Sequence, residues 1–160
     1  MEVWQQRSGL AILRAQIAGE LPKPPIAHLC GIHPVAAEEG KTVWSMPATE
    51  WLCSPARGRL YGGATAYLAG TACDGTYQSI VRRGTAFAPI DLKVYFLRPV
   101  EPDERDLVAT GTIMHRGRTL AVASSEVVDA DGKLVAVAVG SALLQPGRAG
   151  SFVSPDETTE

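Results

Sequence analysis

The sequence predicts an α+β fold in which a strongly curved antiparallel β-sheet wraps around one buried α-helix, with an extra helix at the amino end. Three observations carry this. From Ala64 to Cys73 there is no charged residue, and small or apolar side chains stand at every position. A helix that is apolar all round must be covered on all sides, and ten residues are too few to span a bilayer. Four segments with strand-like patterning follow it, separated by turn signals. Asp129-Ala130-Asp131-Gly132 is the strongest of these, because Asp-Gly accepts the positive φ of a tight turn.

The elements follow in order. Glu2 to Ala18 is rich in helix formers, with Leu10, Leu13 and Ile17 at helical spacing. This predicts a surface helix within 1–19 that packs on the domain. Gly19, Pro22, Pro24 and Pro25 stop it. Pro25 to Gly40 shows no clean period. Lys41 to Pro47 reads as the first strand. The uncharged helix spans 62–78, and its near absence of β-branching argues against a buried strand. Ala88 to Pro99 carries Ile90, Leu92, Val94 and Phe96 at period two, and Leu107 to His115, Arg118 to Asp129 and Leu134 to Leu144 read as three more strands. Gly117 turns the pair around it. The four strands after the helix are expected to form a meander in chain order. A curled sheet can enclose the helix on most sides, and a second subunit can close the rest. Residues 1–147 form one domain in this reading, and the polar 148–160 is a flexible tail.

Composition bounds the function. The chain has 160 residues, enough for one good core and too few for two. Its net charge of −2 gives no whole-protein signature of nucleic-acid binding, so any anion must be met by local basic residues. Cys30, Cys53 and Cys73 are odd in number and form no CxxC pair, which argues against a disulfide framework or a zinc site. Cys73 reads as a small buried hydrophobe. Charges at Glu2, Arg7, Arg14 and Glu20 interrupt any secretory leader, and no apolar run is long enough for a membrane helix. A cytoplasmic protein is expected.

Several segments carry a finer likeness when taken in order: Leu60-Tyr61-Gly62-Gly63, Leu68-Ala69-Gly70-Thr71-Ala72, Asp91-Leu92-Lys93-Val94-Tyr95-Phe96-Leu97-Arg98-Pro99, His115-Arg116-Gly117-Arg118 and Asp129-Ala130-Asp131-Gly132-Lys133. Over roughly 41–144 the chain resembles the hotdog-fold PaaI-like acyl-CoA thioesterases of the 4-hydroxybenzoyl-CoA thioesterase superfamily. The resemblance implies a homodimer or homotetramer with its sites between two hotdogs. It also implies an acyl-CoA substrate, and no metal or dissociable cofactor. A backbone amide at the glycine pair would polarise the thioester carbonyl, and a carboxylate on the core helix would act as base or nucleophile.

Physical chemistry agrees with that division of labour. The first amides of a helix lack intrahelical acceptors, and its amino end carries partial positive charge. Glycine lets a substrate oxygen come close. Gly62 and Gly63 are equally explained by tight helix–sheet packing. Two departures from the family stand out: Tyr61 replaces its histidine, and Gly70 stands where it has Asp or Glu, seven residues after the second glycine. Asp74 lies one turn further on the same face and is the candidate replacement base. Otherwise it is a residue exposed near the helix end. Thr71 is a second candidate for orienting a water, unless its hydroxyl bonds back to its own helix. Ser54 lies near a position where the family often has Asn or Gln. Arg82, Arg83, His115, Arg116, Gly117 and Arg118 are the candidate CoA contacts, because guanidinium forks suit phosphate oxygens. Each is otherwise a solvated surface residue. His28 and His33 have no nameable partner. Trp44, Trp51, Tyr67 and Tyr77 are candidates to line an apolar pocket or simply to fill the core. Gly70 also keeps a second function open, a non-hydrolytic acyl-CoA-binding hotdog protein. A dehydratase or hydratase would want a His with a carboxylate, and the core helix has none.

Overall fold

The computed structural model describes residues 6–54 and 58–147. The first turn expected of the amino-terminal helix and the expected tail, 148–160, lie outside the described residues. The elements are α1 (Gly9–Ile17), α2 (Pro25–Cys30), β1 (His33–Glu38), β2 (Lys41–Pro47), a 3-10 turn (Glu50–Leu52), β3 (Cys53–Ser54), β4 (Arg59–Leu60), α3 (Gly62–Ile80), β5 (Thr85–Phe96), β6 (Asp106–Arg116), β7 (Leu120–Val128) and β8 (Leu134–Pro146). One antiparallel sheet runs β1-β2-β6-β7-β8-β5, and β3 and β4 form a small ribbon. The sheet curls around α3, which packs against all six of its strands. This is the hotdog architecture.

The strand order corrects one expectation. Only β6, β7 and β8 form a meander, while β5 pairs with β8 at an outer edge and β6 pairs with β2. The connections explain this. Tight turns at Gly117 and at Asp129 to Lys133 join β6 to β7 and β7 to β8, with Gly132 at φ 76°. Between β5 and β6 the chain instead passes Pro99 and Pro102, a loop long enough to cross from the edge to the interior. The stretch Pro25 to Gly40 holds a helix and a strand where no period is visible. Pro25 opens α2, Gly31 ends it at φ 69°, and a bulge between Pro34 and Ala36 breaks the two-residue alternation of β1.

The face of α1 also differs from the expected stripe. Gly9, Ile12, Leu13 and Ala15 are buried, whereas Ile17 is exposed. The reason is Gly9, whose amide donates to Val81 O at 3.1 Å and whose missing side chain admits Gln78 O to the helix start. That docking turns α1 so that Ile12 and Leu13 face inward.

Small residues let α3 sit close to the sheet. A Cβ on Gly111 of β6 would lie 2.2 Å from Ala72 O and 2.4 Å from Thr76 Oγ1. One on Gly75 would lie 2.4 Å from the Trp44 indole nitrogen. Leu68, Ala69 and Ala72 on α3 meet Trp44, Met46, Leu107, Ala109, Val127, Ala136 and Ala138 from the sheet in one core. Gly111→Ala should therefore lower stability by roughly 2–3 kcal/mol, as overpacking against backbone does. Urea denaturation would measure it, and an unchanged midpoint would show that the helix is not held this closely.

Candidate functional site

The chain enters α3 in extended conformation. Leu60 N–H donates to Val100 O at 2.9 Å and Tyr61 N–H to Leu52 O at 2.7 Å. Ala64 N–H is the first to turn back, onto Tyr61 O at 2.9 Å, and no side chain of Tyr61 caps the helix. The amides of Gly62 and Gly63 have no acceptor among the described residues. They are the bare positive end of a nineteen-residue helix. A Cβ on Gly63 would fall 2.3 Å from the Tyr61 ring, and one on Gly62 would rest 3.5 Å from the Phe96 ring. The packing need at Gly63 thus comes from Tyr61 folding over the helix start, not from the sheet. A cleft of about 250 Å³ opens beside these amides, lined by Gly62, Thr65, Phe96, Leu97 and Arg98 among others.

Helix α3 is not covered all round within one chain. Gly63 is exposed, and Ala66, Tyr67, Gly70, Thr71 and Asp74 are only half-buried. They form one open stripe at helical spacing. Asp74 stands on it with no hydrogen bond or ion pair to any described residue, and loss of solvent pushes its carboxyl up to about 6. Burial likewise raises the Tyr67 phenol, with the nearby Cys30 and Asp74 adding to the shift and a Thr71 contact opposing it. Thr71 donates its hydroxyl proton to Tyr67 O at 2.8 Å, so only its lone pairs face outward. Leu92 crowds the place a side chain at Gly70 would take, its Cδ2 lying 3.0 Å from the position of a Cβ. Ser54 is half-buried on the β3–β4 ribbon, opposite Arg59.

The basic candidates gather at the other end of the helix. Arg116 donates through Nη2 to Ile80 O at 2.9 Å and pairs through Nη1 with Glu39 at 2.5 Å. It caps the carboxyl end of α3, where a cation is favoured. His115 and Arg118 are exposed on either side of Gly117, whose amide donates to Leu120 O at 2.8 Å. Arg82 and Arg83 are exposed just beyond α3. At about 1.5 Å rise per residue, the glycine pair and this basic end are about 27 Å apart along the axis, and Gly63 and Asp74 about 16 Å. The structure therefore divides the candidates between the two ends of one helix. Leu92, Phe96 and Arg98 border the site without having been singled out as site residues. Leu92 and Phe96 belong to the period-two run of β5, which reads as core, and Arg98 lies just beyond it. His28 is exposed and His33 half-buried, while Trp44 and Tyr77 are core residues and Trp51 is 95% exposed.

Residues 57–136 match the thioesterase superfamily, half of the chain, and the protein belongs to that family. Among solved structures it resembles the PaaI protein of the phenylacetic acid degradation operon of Escherichia coli, at 25% identity and a TM-score of 0.73, over 85% of this chain and 95% of that one. A phenylacetic acid degradation-related protein from Ralstonia eutropha JMP134 superposes with a TM-score of 0.74 at 24% identity, over 82% and 98%. A thioesterase from Haemophilus influenzae does so with a TM-score of 0.71 at 23%, over 76% and 83%. No curated protein matches the sequence significantly. Among the described residues, no helix is long and apolar enough to cross a membrane.

The lone carboxylate has a measurable signature. A folded-state pKa near 6, above the ordinary 3.8, means that the folded protein holds the proton more tightly than the unfolded chain. Stability contributed by the protonated form is complete below about pH 4 and is lost as pH rises towards 6. Asp74→Asn should raise stability at pH 7 by about 2 kcal/mol and flatten its dependence between pH 4 and 6. Urea titrations at the two pH values would read this, and a destabilised Asn variant would mean that the carboxylate has a partner.

Proposed function

We propose that this chain is an acyl-CoA thioesterase in which Asp74 serves as the general base and two copies build each site. The observation that carries this is a solvent-starved, unpaired carboxylate on the same open face of α3 as two unsatisfied amides. A pKa near the working pH suits a group that takes a proton from water and returns it.

The 16 Å between Gly63 and Asp74 is too long for one site, so the amides of one copy must meet the carboxylate of another. Two antiparallel α3 helices, packed through Gly63 and Ala66, satisfy that need. Strand β5 supports the same arrangement: it is a twelve-residue edge strand with Ile90, Leu92, Tyr95 and Phe96 exposed, an open invitation to pair with a second copy. The same antiparallel geometry would bring the basic end of the partner beside the glycine pair, within reach of CoA phosphates. Arg82, His115 and Arg118 are the exposed residues suited to that role. Arg116 would act by holding the turn.

In the reaction, Asp74 takes a proton from water as the water oxygen attacks the thioester carbon. The oxyanion is held by the Gly62 and Gly63 amides, an arrangement that supplies about 3 kcal/mol per donor. The carbon–sulfur bond then breaks, and the CoA thiolate recovers the proton. Thr71 can accept a hydrogen bond from the attacking water. A second reading, acyl-CoA binding without hydrolysis, is favoured by one observation: position 70 carries no carboxylate, and Leu92 packs 3.0 Å from where its Cβ would be.

CoA release from a panel of acyl-CoAs, followed with a thiol reagent, tests the proposal. Wild type should turn over, its rate rising tenfold per pH unit below about pH 6 and levelling above it, since the ionised carboxylate is the active form. Asp74→Asn should lower kcat by about 10²–10⁴-fold. An inert wild type that gains activity on Gly70→Asp would establish the binding protein instead.

A further inference from the structure

Helix α3 carries three threonines, and one of them behaves unlike the others. Thr71 and Thr76 donate their hydroxyl protons to the carbonyl four residues back, Tyr67 O and Ala72 O, both at 2.8 Å. Thr65 does not. The carbonyl it would use, Tyr61 O, is taken up by the tightened first turn, accepting from Ala64 N–H at 2.9 Å and from Thr65 N–H at 3.4 Å. Thr65 is only 3% exposed, yet its hydroxyl has no hydrogen-bond partner among the described residues. It is not sealed off either: the side-chain atoms shut away from solvent without a partner are Tyr77 Oη and Gln78 Nε2. The open space that Thr65 borders is the cleft of about 250 Å³ beside the Gly62 amide. Thr65 follows Gly62 by three residues, so the two share a face about 4.5 Å apart along the axis, and a helical side chain leans back towards the amino end. Leu60, Phe96 and Val100 add apolar walls and Arg98 a cation, and no carboxylate lines the cleft. Negative charge developing on an oxygen is stabilised in such a place.

We infer that Thr65 is a further catalytic residue, whose hydroxyl donates to the thioester oxygen beside the Gly62 amide and holds the oxyanion from inside the cleft. This rests on the thioesterase reading and adds a side-chain donor to its pair of backbone amides. As water adds to the carbonyl carbon, the π pair of the C=O bond moves onto the oxygen, and the hydrogen bond from Thr65 shortens. When the carbon–sulfur bond breaks, the pair returns and the hydrogen bond relaxes. Thr65 keeps its proton throughout. In the empty protein a nearly buried hydroxyl without a partner is destabilising, and valine would fill the same volume without that cost. An interaction that is strongest at the transition state raises kcat and leaves KM largely alone.

Three substitutions at this one position test the inference, assayed by CoA release across the acyl-CoA panel. Thr65→Val should lower kcat by about 10²-fold with KM within about twofold, as the loss of one oxyanion donor does. Its Tm should hold or rise, which separates lost chemistry from lost structure. Thr65→Ser should keep most of the wild-type rate, because it keeps the hydroxyl. Thr65→Ala guards against a Thr65→Val chain that does not fold. Thr65→Ser and Thr65→Ala both lack the γ-methyl and differ in the hydroxyl, so the first should exceed the second by about 10²-fold in kcat. A Thr65→Val enzyme with wild-type kcat, or Thr65→Ser and Thr65→Ala enzymes that turn over equally, overturns the inference and leaves the thioesterase reading standing. So does a Thr65→Val enzyme whose kcat falls only in step with its Tm. A wild type that releases no CoA from any member of the panel overturns the thioesterase reading and the role of Thr65 with it.

Discussion

Everything in this molecule depends on how closely one helix lies on a curled sheet. The approach is set by absences and by hydroxyls. Gly111 admits the Ala72 carbonyl, and Gly75 admits the Trp44 indole. Ser125 Oγ donates to Ala69 O at 2.9 Å and Thr42 Oγ1 to Ala72 O at 3.1 Å, so sheet hydroxyls bond helix carbonyls directly. Thr42 Oγ1 also accepts from Trp44 Nε1 and stands 3.2 Å from Thr76 Oγ1. Such bonds in a dry interior are worth making only if every member is satisfied. The helix is thereby fixed in rotation as well as in distance, which determines the stripe it shows to the outside.

That rotation carries the chemistry. The residues facing the sheet are spent on packing, and the residues left open are Gly63, Ala66, Tyr67, Gly70, Thr71 and Asp74. A charged group on such a stripe is half-way out of water with no counter-charge, which raises its pKa without any special device. The same rigid rod holds unsatisfied amides at one end and an arginine-capped carboxyl terminus at the other. Function in this fold is therefore a matter of what lies at which level along the helix.

Much of this was legible in the chain. The uncharged run with its leading glycines marks the central helix, although a stripe of it through Ala66, Tyr67, Gly70 and Thr71 stays half open in one chain. The Asp-Gly turn and Gly117 mark the two hairpins. The likeness running from Leu60 to Lys133 marks the family, and Asp74 is the nearest carboxylate to the empty Gly70. The crossing of β5 to the far edge was less visible, since period-two patterning is blind to which neighbour a strand will choose. The bulge in β1 and the short helix α2 hide the beginning of the sheet for the same reason: local irregularity erases a periodic signal.

The sequence by itself determined the class of fold, the helix at its centre and the family to which the chain belongs, because hydrophobic period, turn chemistry and glycine placement are local properties. Only the tertiary structure decided that Arg116 caps α3, that Leu92 lies over Gly70, that Asp74 is desolvated and unpaired, and that the candidate residues stand at opposite ends of one rod. Those depend on distances between segments far apart in the chain, and on how much water each group retains once they meet. Neither quantity is written in any one stretch of residues.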